Sequence, residues 1–110
     1  MNSSYKIYKC DVTGYIIEYG IEGDIANMMF INCDFEYPKA FALLLRKSVN
    51  ELKEDGINYV TQMVSTTDWD NYLKGVTTWT LETNENNICT IKCRIDDFLK
   101  NIMIGLGLNI

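Results

Sequence analysis

Apolar and polar residues alternate through the first third of the chain, broken by turn signals at Asp11-Val12-Thr13-Gly14 and Glu22-Gly23-Asp24. This period of two predicts strands near 4–11, 15–21 and 25–33. The third is apolar on both faces, with Ile25, Met29, Ile31 and Cys33 on one side and Ala26, Met28 and Phe30 on the other. Such a pattern suits a central strand covered on both sides. From Pro38 the period becomes helical: Phe41, Leu44, Leu45, Val49 and Leu52 share a face, Pro38 sits where a first turn tolerates it, and Gly56 supplies the stop. The opposite face carries Lys39, Arg46, Lys47, Asn50 and Lys53, interrupted by Glu51 and Glu54, which reads as a solvated stripe.

Residues 57–64, INYVTQMV, return to strand character, and the polar run Ser65 to Asp70 opens a short helix. TTWTLET and ICTIKCRI flank Asn84-Glu85-Asn86-Asn87 as an antiparallel hairpin, with Cys89, Ile91, Cys93 and Ile95 on one face of its second strand. Asp96 can then cap a final helix bearing Phe98, Leu99, Ile102, Met103 and Leu106. The elements add up to an α+β fold: a largely antiparallel twisted sheet of about six strands, a long helix (about 38–55) packed across it, and shorter helices at about 67–74 and 96–106.

Composition narrows the setting. A chain of 110 residues suits one compact domain, 1–110. Its net charge of −5 and scattered basic residues argue against nucleic acid as a partner. No apolar run reaches the roughly 18 residues of a membrane helix, and MNSSYKIYKCD lacks a signal peptide's apolar region. A soluble, cytoplasmic protein without a membrane partner is therefore expected, in the host cytoplasm if the chain is viral. Frequent Ile, Asn, Lys and Tyr fit an AT-rich genome, bacterial, phage or viral.

Candidate chemistry is sparse. Without histidine, the serine triad, the cysteine–histidine dyad and histidine bases are excluded. Cys10, Cys33, Cys89 and Cys93 lack knuckle spacing, and Cys89 and Cys93 would lie about 13 Å apart along one strand face. Reduced, apolar thiols are expected, with no metal and no cofactor. The carboxylate pairs Asp34 with Glu36, Asp68 with Asp70, and Asp96 with Asp97 all fall at strand-to-helix junctions, where capping accounts for them. Asp68-Trp69-Asp70 also has the form of a divalent-ion motif, but Thr67 with Asp70, or Ser65 with Asp68, forms a shortened capping box, leaving Trp69, Tyr72 and Leu73 on one face. Gln62 shares a face with Val60 and Val64, so burial there demands a partner for its amide or costs about 1–3 kcal/mol, with an exposed edge as the equal alternative. Tyr5, Tyr8, Tyr15 and Tyr19 are expected to pack as a cross-strand aromatic group. Gly105-x-Gly107 follows a helix rather than opening one and is no phosphate loop.

The order strand, strand, strand, helix, strand, helix, strand, strand over residues 4–95 resembles the latter part of the GNAT-type N-acetyltransferase fold. Asn71-Tyr72-Leu73-Lys74-Gly75-Val76 looks like that family's Tyr-containing, glycine-terminated segment, with Tyr-to-Gly spacing one residue shorter. The resemblance implies Tyr72 as general acid. It departs from the family at the coenzyme A loop: Cys33-Asp34-Phe35-Glu36-Tyr37-Pro38 stands where the family has Gln/Arg-x-x-Gly-x-Gly/Ala, and two carboxylates repel phosphate. The family's N-terminal strand and paired helices are also missing, so a related fold is expected to have lost acetyl transfer.

With no cofactor loop and no catalytic constellation, the expectation is a non-enzymatic binding or assembly module. It would act through a protein partner or self-association, with a viral or phage accessory protein as one form. The small-molecule ligand is unknown; the apolar segment 101–110, NIMIGLGLNI, offers a contact element on this reading, although packing onto its own sheet is the fate expected of it. The alternative is a minimal or degenerate GNAT-like acyltransferase using Tyr72, with Asp68 or Asp70.

Overall fold

The computed structural model describes residues 3–34, 36–75 and 78–105, with side chains from residue 4 to residue 101 of those spans. Phe35, Val76 and Thr77 lie outside the described residues, as do the side chains expected of Ile102, Met103 and Leu106 and most of segment 101–110. Strands β1 (Ser3–Lys9), β2 (Ile16–Glu22) and β3 (Ile25–Ile31) form an antiparallel meander. Helix α1 (Pro38–Glu54) leads to β4 (Tyr59–Ser65), which lies parallel to β3. A short helix α2 (Thr66–Asp68) runs on as a π-helix (Trp69–Leu73). The hairpin β5 (Thr80–Glu85) and β6 (Ile88–Arg94) follows, then α3 (Ile95–Gly105). Sheet order is β1-β2-β3-β4-β6-β5, so the largely antiparallel α+β architecture of the sequence pattern is present.

Turn chemistry sets the strand limits. Gly14 at φ 78° closes the first turn, where its N–H donates to the Cys10 carbonyl at 2.8 Å, so β1 stops short of residue 11. Asn32 at φ 56° ends β3 before Cys33. Asn86 and Asn87, both at positive φ, make the two-residue hairpin loop whose backbone twist matches that of the flanking strands. Helix α1 ends in a Schellman motif: Gly56 at φ 87° donates to Lys53 and Ile57 donates to Leu52.

All of the core lies on one face of the sheet. Phe41, Leu44, Leu45, Val49 and Leu52 of α1 are buried against Ile17, Tyr19, Ala26, Met28 and Val60, with Cys89, Ile91, Cys93 and Ile95 continuing the layer toward Phe98 of α3. Ser48 is buried too, and its hydroxyl meets the Tyr19 hydroxyl at 3.0 Å, a polar pair that the helical periodicity does not reveal. The other face is uncovered, which corrects the expectation that β3 is covered on both sides: Met29 is 51% exposed. The helices all stand on the opposite side, so Ile25 and Ile31 are only half-buried.

Three smaller expectations change for similar reasons. The tyrosines do not form one group: Tyr8 packs edge-on against Tyr19, Tyr15 against Phe41, and Tyr5 stands on the open face, donating to Glu18. Asp96 lies inside the first turn of α3, which starts at Ile95, and pairs at 2.6 Å with Lys53 of α1. Gln62 sits half-buried on a central strand, and no buried side-chain polar atom among the described residues lacks a partner.

Candidate functional site

Strands β3 and β4 pair only over Ile25–Met28 and Tyr59–Gln62. Beyond Met28↔Gln62 both continue, β3 to Ile31 beside β2 and β4 to Ser65 beside β6, without pairing with each other. The facing edges of Met29–Ile31 and Met63–Ser65 thus present backbone N–H and C=O groups to a wedge-shaped opening at the carboxyl ends of a parallel pair. That is where open sheets bind ligands. A hollow of about 120 Å³ lies beside the apex on the open face, lined by Tyr5, Glu18, Gly20, Asn27, Met29 and Met63 among others. A wider one beyond it shares Gly20 and Asn27. A side chain at Gly20 would point into open space, so this glycine creates the hollow rather than relieving a clash.

The polar run from Ser65 to Asp70 lies at the same end of the sheet. Ser65 caps α2 by accepting from the Asp68 N–H at 3.0 Å, so the Ser65–Asp68 register wins over Thr67–Asp70. Trp69 is buried, but Tyr72 is 74% exposed, contrary to the expected shared face. The cause is the wide i→i+5 turn, closed by Lys74 N–H to Trp69 carbonyl at 2.8 Å, in which each residue advances less around the axis than in an α-helix. Leu73 therefore returns to the core and Tyr72 swings out with Asp68 and Asp70, both exposed.

At the third side of the opening, the loop before α1 is tied shut. The Tyr15 hydroxyl, on a side chain only 1% exposed, donates to Asp34 Oδ1 at 2.6 Å and accepts from the Tyr37 N–H at 2.9 Å. The same carboxylate oxygen accepts from the Glu36 N–H at 3.0 Å. The Tyr15 hydroxyl, followed by the Glu36 N–H, holds the Asp34 carboxyl below the ordinary carboxylate range. Burial, followed by the bond to Asp34, holds the Tyr15 phenol above its ordinary value. The signs give opposite pH limbs. Asp34 stabilises the fold above its unfolded value and that contribution is lost as pH falls through its lower folded value; Tyr15 stabilises below its unfolded value and loses the contribution as pH rises through its higher folded value. In urea unfolding followed from about pH 5 to pH 2, Asp34→Asn is expected to flatten the acid-side loss of stability.

The resemblance implies a coenzyme A diphosphate at this loop, and the residues do not fit it. Glu36 and Tyr37 have their N–H groups engaged within the chain, Pro38 has none, and Asp34 and Glu36 bring negative charge. Among the described residues, no three His, Cys, Asp or Glu side chains group to hold a metal ion, and no helix is long and apolar enough to cross a membrane. The cysteines are unpaired, and burial pushes the Cys93 thiol up to about 12.

The order of meander, long helix, parallel partner strand and closing hairpin resembles the latter part of the GNAT-type N-acetyltransferase fold. The chain is similar in structure to the PaiA N-acetyltransferase of Thermoplasma acidophilum in complex with coenzyme A, at 16% identity and a TM-score of 0.52, over 73% of this chain and 52% of that one. It is likewise similar to the ribosomal-protein-S18-alanine N-acetyltransferase of Escherichia coli, at 14% identity and 0.53, over 74% and 61%. Mutant forms of the spermidine/spermine N-acetyltransferase SpeG of Vibrio cholerae match at 10% identity and 0.55, over 90% and 70%. The chain thus matches little more than half the length of the first two. No family model and no curated protein matches it.

These likenesses correct the expectation of a non-enzymatic binding or assembly module, since the proteins that share the architecture are N-acetyltransferases. The reason for the error is physical. The opening is built from backbone edges and from Gly20, and neither carries a side-chain motif. A glycine inside a strand, on the same face as Glu18 and Glu22, is the one sequence signal for it.

Proposed function

We propose that the chain is a small acyltransferase of the N-acetyltransferase type, moving an acyl group from a thioester to an amine at the β3–β4 opening. The observation that carries this reading is the pairing that stops at Met28↔Gln62 while both strands continue. An acyl carbonyl set between the strands meets backbone N–H groups already fixed by pairing on the far edge of each strand, the arrangement that stabilises a developing oxyanion. The amine nitrogen attacks the carbonyl carbon, a C–N bond forms and the C–S bond breaks. Tyr72 gives the leaving sulfur a proton and regains one from water, while Asp68 or Asp70 takes the proton the amine gives up. The amine, arriving as an ammonium, is drawn over the open face by Glu18 and Glu22, which line the two hollows, and gives one proton to water before it attacks; the proton that Asp68 or Asp70 takes is the second, released as the C–N bond forms. Free thiols fit a reducing cytoplasmic setting, including a host cytoplasm for a virus-encoded chain.

Thiol release from S-acetyl-pantetheine in the presence of a panel of polyamines and peptide amines tests the reading. Gly20→Phe fills the hollow without strain, since nothing lies within 4 Å of the added Cβ. It is expected to keep the fold and raise the amine KM by about tenfold or more. Unchanged amine kinetics in that variant would remove the acceptor from the open face.

A further inference from the structure

The loop that opens α1 carries a network that the acyltransferase reading does not use. Asp34 is exposed, yet its carboxylate is turned back onto the chain, accepting from the Tyr15 hydroxyl at 2.6 Å and the Glu36 N–H at 3.0 Å. Tyr15 in turn fills the Tyr37 N–H, and its ring is locked edge-on against Phe41 at 6.3 Å. A diphosphate cradle needs consecutive N–H groups facing one point, supported by the positive end of the helix. Among the described residues, the Asp34 carboxylate fills the Glu36 N–H, the neutral Tyr15 hydroxyl fills the Tyr37 N–H, Pro38 removes the next, and Lys39 and Ala40 of the first turn are left without a side-chain cap.

Resting on the acyltransferase reading, we propose that Asp34 takes the place of a donor's diphosphate, so the chain accepts acyl thioesters whose carrier has no nucleotide diphosphate. Such a donor is held by its acyl and amide portion between β3 and β4, and a nucleotide adds nothing to its binding. The Tyr15–Asp34 pair makes the substitution permanent: opening the loop would leave the buried Tyr15 hydroxyl without its acceptor.

Two measurements test this separately from the reading beneath it. First, inorganic pyrophosphate at millimolar concentration is titrated against ¹⁵N-labelled protein. The Glu36 and Tyr37 amide signals are expected to stay in place in the native chain and to shift in Asp34→Gly, where the carboxylate is gone. Shifts in the native chain that match those of the variant would overturn the proposal. Second, acetyl-CoA and S-acetyl-pantetheine are compared as donors. Equal kcat/KM within about twofold is expected, and a preference of about tenfold or more for acetyl-CoA overturns the proposal. If neither donor is used, acyl transfer itself falls, while the pyrophosphate titration still decides whether the loop is closed.

Discussion

Tyr72→Phe is expected to lower turnover of S-acetyl-pantetheine by about 10²–10⁴-fold, the usual loss when a general acid is removed. The phenol stands 74% exposed on the wide turn that leaves β4, at the end of the sheet where β3 and β4 part. Because it packs against little, the same substitution should change the unfolding free energy by less than about 0.5 kcal/mol. That separation is what makes the variant informative, since lost activity cannot be ascribed to lost fold. Asp68→Asn and Asp70→Asn should fall short of the Tyr72 effect, because either carboxylate can take the amine's proton when the other is gone. Full activity in Tyr72→Phe would leave the opening as the site and remove its proton donor.

Phe41→Ala should destabilise the fold by about 3–5 kcal/mol in urea unfolding. Phe41 is fully buried and, among the described residues, meets Tyr15 edge-on at 6.3 Å and Phe30 at 4.9 Å. Phe30 belongs to the arm of β3 that runs past its pairing with β4, and Tyr15 holds the loop before α1. One side chain from α1 therefore braces both the opening and the closed loop. Deleting it removes packing that the wedge cannot replace, since β3 is paired there on one edge only. Activity should fall at temperatures below the main unfolding transition, as the arm held by β2 on one edge loosens first. Phe41→Leu, which keeps most of the apolar volume, should recover much of the loss.

The fold was largely legible because its signals are local. Alternation in β6, the apolar stripe of α1, Pro38 at its start and Gly56 at its end each act within a few residues, and each reappears in the structure. What the pattern could not supply was which sheet face the helices cover. Both faces of β3 are rich in apolar residues, with Asn27 alone marking the open one, and it is the placement of α1 and α3 that leaves Met29 in the open. Trp69, Tyr72 and Leu73 have ordinary helical spacing, and the i→i+5 bond from the Lys74 N–H to the Trp69 carbonyl is not written in it. Of the site, the sequence pointed to Tyr72, Asp68 and Asp70, and to an unfit loop at Asp34 and Glu36. It missed the opening itself, because strands that pair for four residues and then separate look the same in sequence as strands that pair throughout. It missed Tyr15 as the partner of Asp34 because the two are 19 residues apart and meet only through the turn geometry of Gly14 and Asn32.

The central claim is that the β3–β4 opening binds an acyl thioester. An amide-resolved NMR titration with S-acetyl-pantetheine tests it without knowledge of the acceptor amine. Saturable shifts centred on Met29–Ile31 and Met63–Ser65, extending to the turn at Trp69–Leu73, are the expected result. Shifts centred elsewhere, such as the outer edge of β5, or none at millimolar thioester, would contradict it.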